Sequence, residues 1–431
     1  MLTNSFNVNE KGHLTLGGVD TVELANKYGT PLYVLDENDI RNNCRQFKDA
    51  FDKYYDGNAK VYYASKAFSC KEMYRIVNCE GVYADVVSGG ELYTALSAGF
   101  PAENIGFHGN NKTPEELSFA LDSGVGRIIV DNIFELHTLN SLAKEKGVCQ
   151  KILLRIKPGI DCHTHDYIKT GQIDCKFGFA LENGEAHEAA SEACKLENIE
   201  FVGIHCHIGS QIFETQPFVD AADIMISFAK NIEESFGKAL TEINFGGGYG
   251  IKYLETDKPV PKDESIRILC AAVKSACEKH NFALPTLSIE PGRSIVGDSN
   301  LTLYKIGVVK TIQNVRTYVS VDGGMSDNPR YALYGADYEA VVANKADKPR
   351  DFVATIAGKC CESGDLIQEH TKIQTPEVGD TLAVLATGAY NYSMASNYNR
   401  IPRPAAVMVK DGEARVIIER ETFEDLISKD V

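Results

Sequence analysis

The chain has 431 residues, 44% of them apolar and 24% charged, which fits a soluble globular protein long enough for two domains, one of them a large α/β barrel. Its formal net charge of −16, with no long basic run, argues against a partner that binds through a phosphate backbone and leaves a small molecule as the expected ligand. No segment reaches the ~18 consecutive apolar residues of a membrane span. The stretch "MLTNSFNVNEKGHL" also lacks the basic-then-apolar order of a secretory signal. With twelve cysteines and no C-x-x-C pair, the expectation is a cytoplasmic protein with free thiols and no structural zinc.

In chain order, "TPLYVLD" (30–36) is the first strand-like run. Eight further runs follow: "VYYASKA" (61–67), "VYADVVS" (82–88), "IGFHGN" (105–110), "RIIVDN" (127–132), "KILLRIKP" (151–158), "FVGIHCHIG" (201–209), "EINFGGG" (242–248) and "LSIEPG" (287–292). Helix-like stretches separate most of them. One is "TPEELSFALDSG" (113–124), where Thr113 can cap and Pro114 suits the first turn. Eight strands alternating with helices predict a (β/α)8 TIM barrel over 37–290, with polar or glycine-rich strand ends at its catalytic rim. After about residue 295 the texture turns to alternating β-branched runs. They include "RTYVSVDGG", "TLAVLATG" and "AAVMVKDGEARVIIER", the last a hairpin around Asp-Gly. A β domain is expected from residues 291–431, joined by the N-terminal segment 1–36.

Four features at the expected rim carry chemistry. Lys66 sits at the end of the first barrel strand, where an amine can join a carbonyl and pyridoxal phosphate is a leading candidate; position alone favours a surface lysine or half of an ion pair. "NFGGGYG" (244–250) places three glycines after strand seven, where bare backbone can approach a phosphate or simply turn tightly. "SIEPGR" (288–293) brings Glu290 and Arg293 to the end of strand eight, as an ion pair or as partners of a protonated ring nitrogen and an anion. "HCHIGSQ" (205–211) sets His205 and His207 on one strand face, with His163 and His165 in the preceding loop. That arrangement keeps a metal-dependent hydrolase open as a rival. In the β domain, "GKCCESGDLI" (358–367) puts Cys361 and Glu362 in a glycine-flanked turn, where a thiol can deliver a proton or serve as a small buried group. A disulfide between Cys360 and Cys361 would be strained.

Together "YYASKAF", "ADVVSGGEL", "HTHDYIKTG", "KFGF", "HIGSQ", "GGGYG", "EPGRSIVG", "DNPRYALYGA", "CESGD" and "GAYNYSMASNYN" resemble the fold-type III pyridoxal-phosphate decarboxylases, from residue 61 to about 399. The resemblance implies an alanine racemase-like barrel, with pyridoxal phosphate held on Lys66 as an internal aldimine. It implies that Asp85 lies at the cofactor, His207 stacks on the ring and Glu290 pairs with its nitrogen. Ser210, Gly247, Gly248, Arg293 and Tyr390 would surround the phosphate. Arg293, Arg330, Tyr334 and Tyr390 would bind substrate, with Glu362 at its distal amino group. No metal is expected. Barrel racemases place an arginine opposite the ring nitrogen, so Glu290 fits a decarboxylase and its quinonoid. "HTHDYIKTG" and "CESGD" favour the branch acting on meso-2,6-diaminopimelate over the ornithine type. The implied function is the formation of L-lysine and carbon dioxide in a homodimer, with Cys361 the proton donor supplied across the interface.

Overall fold

The computed structural model describes residues 5–160 and 175–431. His163, His165 and the whole of "HTHDYIKTG" (163–171) lie outside the described residues. The chain divides into two compact units. One comprises Asn43–Gly250 and Pro259–Gly292; the other comprises Met1–Asn42, Ile251–Lys258 and Arg293–Val431.

In the first unit all eight predicted strands are present: β1 Ala59–Ala64, β2 Tyr83–Val86, β3 Ile105–Phe107, β4 Arg127–Val130, β5 Gln150–Lys157, β6 Ile199–His205, β7 Glu242–Asn244 and β8 Thr286–Ile289. Each pairs in parallel with the next, and β8 closes on β1 through Leu287↔Ala59 and Ile289↔Val61, so the sheet has no open edge. Apart from the strand-start residues Ala59 and Tyr83, their apolar residues are buried, as strands covered on both faces require. The expected helix is Pro114–Ser123, with a reciprocal Thr113–Glu116 capping box and a left-handed Gly124 at its end. In β6 the register slips between Phe201 and Gly203; a Cβ on Gly203 would meet the Glu242 carbonyl oxygen at 2.1 Å, so only glycine lets β7 approach there.

The strand-start end of the barrel is closed by charge. Glu242 opens β7 and accepts hydrogen bonds from Arg127 Nε (3.0 Å), Arg127 Nη2 and Lys60 Nζ (3.1 Å). Burial raises the Glu242 carboxyl, and the two cations more than offset that and hold it below its ordinary range. The opposite end, where the strands finish, is left for the site.

The second unit is built on the 13-residue strand Asn300–Ile312. Its first half pairs with Leu32–Asp36 on one side and Thr381–Leu385 on the other. A bulge between Ile306 and Val308 then turns its second half onto Arg316–Val321. Leu32–Asp36 also pairs in parallel with Ala405–Lys410, so the N-terminal segment is woven into the β unit. The hairpin Ala405–Lys410/Glu413–Ile418 turns on Asp411 and Gly412, both at positive φ, as a two-residue Asp-Gly turn demands. Among the described residues, no helix is long and apolar enough to cross a membrane.

Candidate active site at the barrel mouth

Lys66 does not end β1; it occupies a single 3-10 turn, Ser65–Ala67, that follows the strand. Ser65 and Ala67 are fully buried and anchor the turn, while the Lys66 side chain stays exposed. Ser65 Oγ lies 2.7 Å from the Asp85 carbonyl and 2.9 Å from Glu91 Oε2. A lysine held this way keeps its amine accessible without the cost of burying it.

Asp85 stands beside the end of β1, in register with Ala64, and is almost fully buried. Among the described residues its Oδ1 has no hydrogen-bond partner. Burial raises the carboxyl and Glu290 pushes the same way, while His108 and Lys66 oppose. An orphaned buried acceptor near an amine is a group waiting for a donor.

Glu290 follows β8 and is the electrostatic centre of the unit. Its Oε1 accepts from His108 Nε2 (2.9 Å) and Asn244 Nδ2 (2.7 Å), and its Oε2 accepts from His205 Nε2 (3.1 Å). Burial alone would lift the carboxyl, but the two imidazoles hold it well below the usual carboxylate range. His205 is pushed down to about 4 by burial, so it is neutral near pH 7. Its Nε2 proton goes to Glu290, and its buried Nδ1 has no hydrogen-bond partner among the described residues. His108, His205 and Glu290 form the group of three metal-capable residues among the described residues. Their spacings are those of direct hydrogen bonds, and the Asn244 amide completes the set; what is built is a carboxylate clamp.

Beyond β6 and β7 the chain forms a cradle. Gly246 and Gly248 sit at φ +66° and +111°. A Cβ on Gly247 would lie 2.4 Å from the Glu290 carbonyl, so the loop must be bare at that point. The Gly247 N–H donates to His207 Nδ1 (3.2 Å), which orients that imidazole. Burial, Lys66 and Arg155 all push His207 well below its ordinary pKa, so the ring is neutral. Ser210 is half-buried in the same loop system.

The second unit carries its own polar cluster. Arg293 and Arg330 are buried, and both donate to the Tyr253 hydroxyl; Arg330 Nη1 also donates to Tyr338 (2.7 Å). Tyr390, at φ +73°, has its ring 4.9 Å from the Arg293 guanidinium carbon. Tyr334 closes the short helix Arg330–Tyr334 and is half-buried. Cys361 and Glu362 are exposed, while Cys360 is buried; both thiols are free. Their turn is held by Asp365, whose carboxylate accepts the N–H of Met325 (2.6 Å) and of Cys360 (2.7 Å). Asn399 accepts the Cys361 N–H (2.6 Å).

The barrel unit thus gathers Asp85, His207, Gly247, Gly248 and Glu290, with Lys66 acting electrostatically on Asp85 and His207. The other unit gathers Arg293, Arg330 and Tyr390. Sequence reasoning missed His108, Asn244, Glu91, Arg155 and Tyr253. The first two were visible as lone polar residues ending apolar runs, "IGFH" and "EIN".

The barrel residues suit pyridoxal phosphate. They offer an accessible amine, an ionised carboxylate for a ring nitrogen, a neutral imidazole and a glycine cradle in which no described protein acceptor takes the Gly248 N–H. Residues 37–297 match the family model for the pyridoxal binding domain of pyridoxal-dependent decarboxylases. The chain is 51% identical over 423 residues to diaminopimelate decarboxylase of Bacillus subtilis, covering 98% of this chain and 96% of that protein. It is 52% identical over 414 residues to the enzyme of that name from Bacillus methanolicus, covering 96% of each. The diaminopimelate decarboxylase of M. jannaschii, solved with L-lysine, superposes with a TM-score of 0.92 at 36% identity, covering 100% of this chain and 99% of that one. The protein is a decarboxylase that uses pyridoxal phosphate, and the chain belongs to the diaminopimelate decarboxylase family.

Proposed function

We propose that the protein removes carbon dioxide from meso-2,6-diaminopimelate to give L-lysine, in the cytoplasm, as a homodimer. The observation that carries this reading is the ionised Glu290 clamp beside the accessible Lys66, in a chain half identical to enzymes named for that substrate. When bound, pyridoxal phosphate supplies a sink for the electron pair left behind as carbon dioxide departs.

The chain's own residues do the rest. Lys66 would hold the cofactor through its amine and yield to the substrate's amine. Glu290, kept anionic by His108, His205 and Asn244, would hold a proton on the ring nitrogen. Neutral His207 would lie against the ring without competing for that proton. Asp85 would accept the Lys66 ammonium when the lysine is released. Ser210, Gly247 and Gly248 would receive phosphate oxygens, with Arg293 and Tyr390 given the same task. Arg293, Arg330 and Tyr334 would bind carboxylates, Tyr390 would complete that set, and Glu362 would meet the distal ammonium. Cys361 would return a proton to the carbon that lost its carboxylate. Its exposure on one chain suits a thiol that works in the partner's site. The domain division that this mechanism assumes is a barrel over 37–290 and a β domain from 1–36 and 291–431.

The test is lysine formation by the purified protein from meso-diaminopimelate, with ornithine and arginine as controls. Lysine from diaminopimelate alone supports the reading. Turnover of ornithine or arginine in preference would move the substrate to the ornithine type.

A further inference from the structure

Arg330 is 8% exposed, and among the described residues no carboxylate lies within ion-pair distance of it. A buried guanidinium is costly unless its donors are taken and its charge is answered. Here the acceptors are phenols. Arg330 Nη1 reaches Tyr338 (2.7 Å) and Tyr253 (3.0 Å), and the Tyr253 oxygen also takes Nη1 of the 7% exposed Arg293. Tyr253 is the atom shared by both cations.

The local chain fixes that oxygen. Asp257 accepts the N–H groups of Tyr253 and Leu254, each at 2.9 Å, and so pins the turn that carries the ring. Tyr338 packs edge-on against it, with ring centres 5.5 Å apart. Both lone pairs of the Tyr253 oxygen are occupied by guanidinium donors, and no described acceptor takes its proton. The charged or titratable groups around it are Arg293, Arg330, Tyr338 and Tyr390, with Asp257 behind its backbone.

We propose that Tyr253 is the positioning residue that holds Arg293 and Arg330 as one anion-receiving pair. This rests on the carboxylate role given above to the two arginines. The phenol answers part of the Arg330 charge until a carboxylate arrives, and it keeps both forks in register. Burial would raise its pKa, but the two guanidiniums reverse that and bring it below the ordinary tyrosine value. An arriving carboxylate restores the opposing negative charge and so should push the phenol back up.

The experiment uses the cofactor-loaded enzyme, Tyr253→Phe, and glutarate as a dicarboxylate probe that cannot react. Alkaline titration at 295 nm should show one tyrosine ionising before the others in the wild type, moved to higher pH by glutarate and missing in Tyr253→Phe. Glutarate affinity by calorimetry should fall ~10-fold or more, the size expected for loss of a hydrogen bond to a charged group. KM for diaminopimelate should rise in step while kcat stays within about twofold. A Tyr253→Phe enzyme with wild-type glutarate affinity and wild-type KM would overturn the proposal. So would a wild-type titration that glutarate leaves unmoved, a result that does not depend on the variant folding. If diaminopimelate is not turned over but the glutarate and titration results hold, the proposed function fails and this inference stands.

Discussion

In the barrel unit the buried charge is Glu290, a carboxylate whose two oxygens take three nitrogen donors, from His108, His205 and Asn244. In the β unit it is a pair of guanidiniums whose described acceptors are phenols. Among the described residues Arg330 has no carboxylate at ion-pair distance, unlike the strand-start end of the barrel, where Glu242 meets Arg127 and Lys60 outright. A buried ion pair is electrically finished. A buried ion surrounded by neutral dipoles is solvated yet keeps net charge to offer a ligand. On the proposed function Glu290 would meet a protonated ring nitrogen, and the guanidiniums of the β unit would meet carboxylates.

Substitutions at the two clusters can break or sharpen this contrast. Lys66→Ala should have the largest effect: loss of the bound cofactor's visible absorbance and a fall in kcat of at least ~10³-fold, read by spectrum and steady-state rate. A retained band would remove the cofactor assignment. Arg330→Ala should raise KM ~100-fold, about 3 kcal/mol for an uncompensated charged contact, with the cofactor spectrum unchanged. A comparable fall in kcat/KM, but through kcat, is expected of Cys361→Ala, on the order of 10²-fold with normal cofactor binding. Full activity there would end its proton-donor role.

The negative cluster also makes a pH claim. His205 is pushed down to about 4 in the folded chain from an ordinary value of 6.5, so the unfolded chain takes up a proton first as pH falls. Its neutral burial therefore stabilises the fold fully above about pH 6.5, and that contribution drains away towards pH 4, by roughly 3 kcal/mol. Glu290, depressed as well, extends the loss below its unfolded value near 4.5. Urea unfolding at pH 7, 5.5 and 4.5 should show this slope, and His205→Gln should flatten it in the upper part of the window. The smallest effect lies outside both clusters: Thr113→Ala, which removes a capping box, should cost about 1 kcal/mol in thermal unfolding and leave kinetics untouched.

The barrel was legible because each of its strands is a short apolar run closed by a polar or glycine residue. Lys66 and Glu290 fall at those closures. His108 and Asn244 fall there too and Arg155 lies inside its strand, but each is one polar side chain in its own run. Nothing local says that Asn244 and His108 end on the same oxygen of Glu290; only closure of the sheet brings them there. His205 and His207 read as a pair, yet one holds Glu290 and the other is held by Gly247. Tyr253 was the least legible. It lies three residues after the glycine loop, but residues 251–258 belong to the other unit, and proximity in sequence pointed to the wrong neighbourhood.

The most direct measurement is lysine released from meso-diaminopimelate by the purified protein, with and without added pyridoxal phosphate. Lysine formed only with the cofactor is the expected result. A protein that binds the cofactor, shows its visible band and yields no lysine would contradict the proposed reaction.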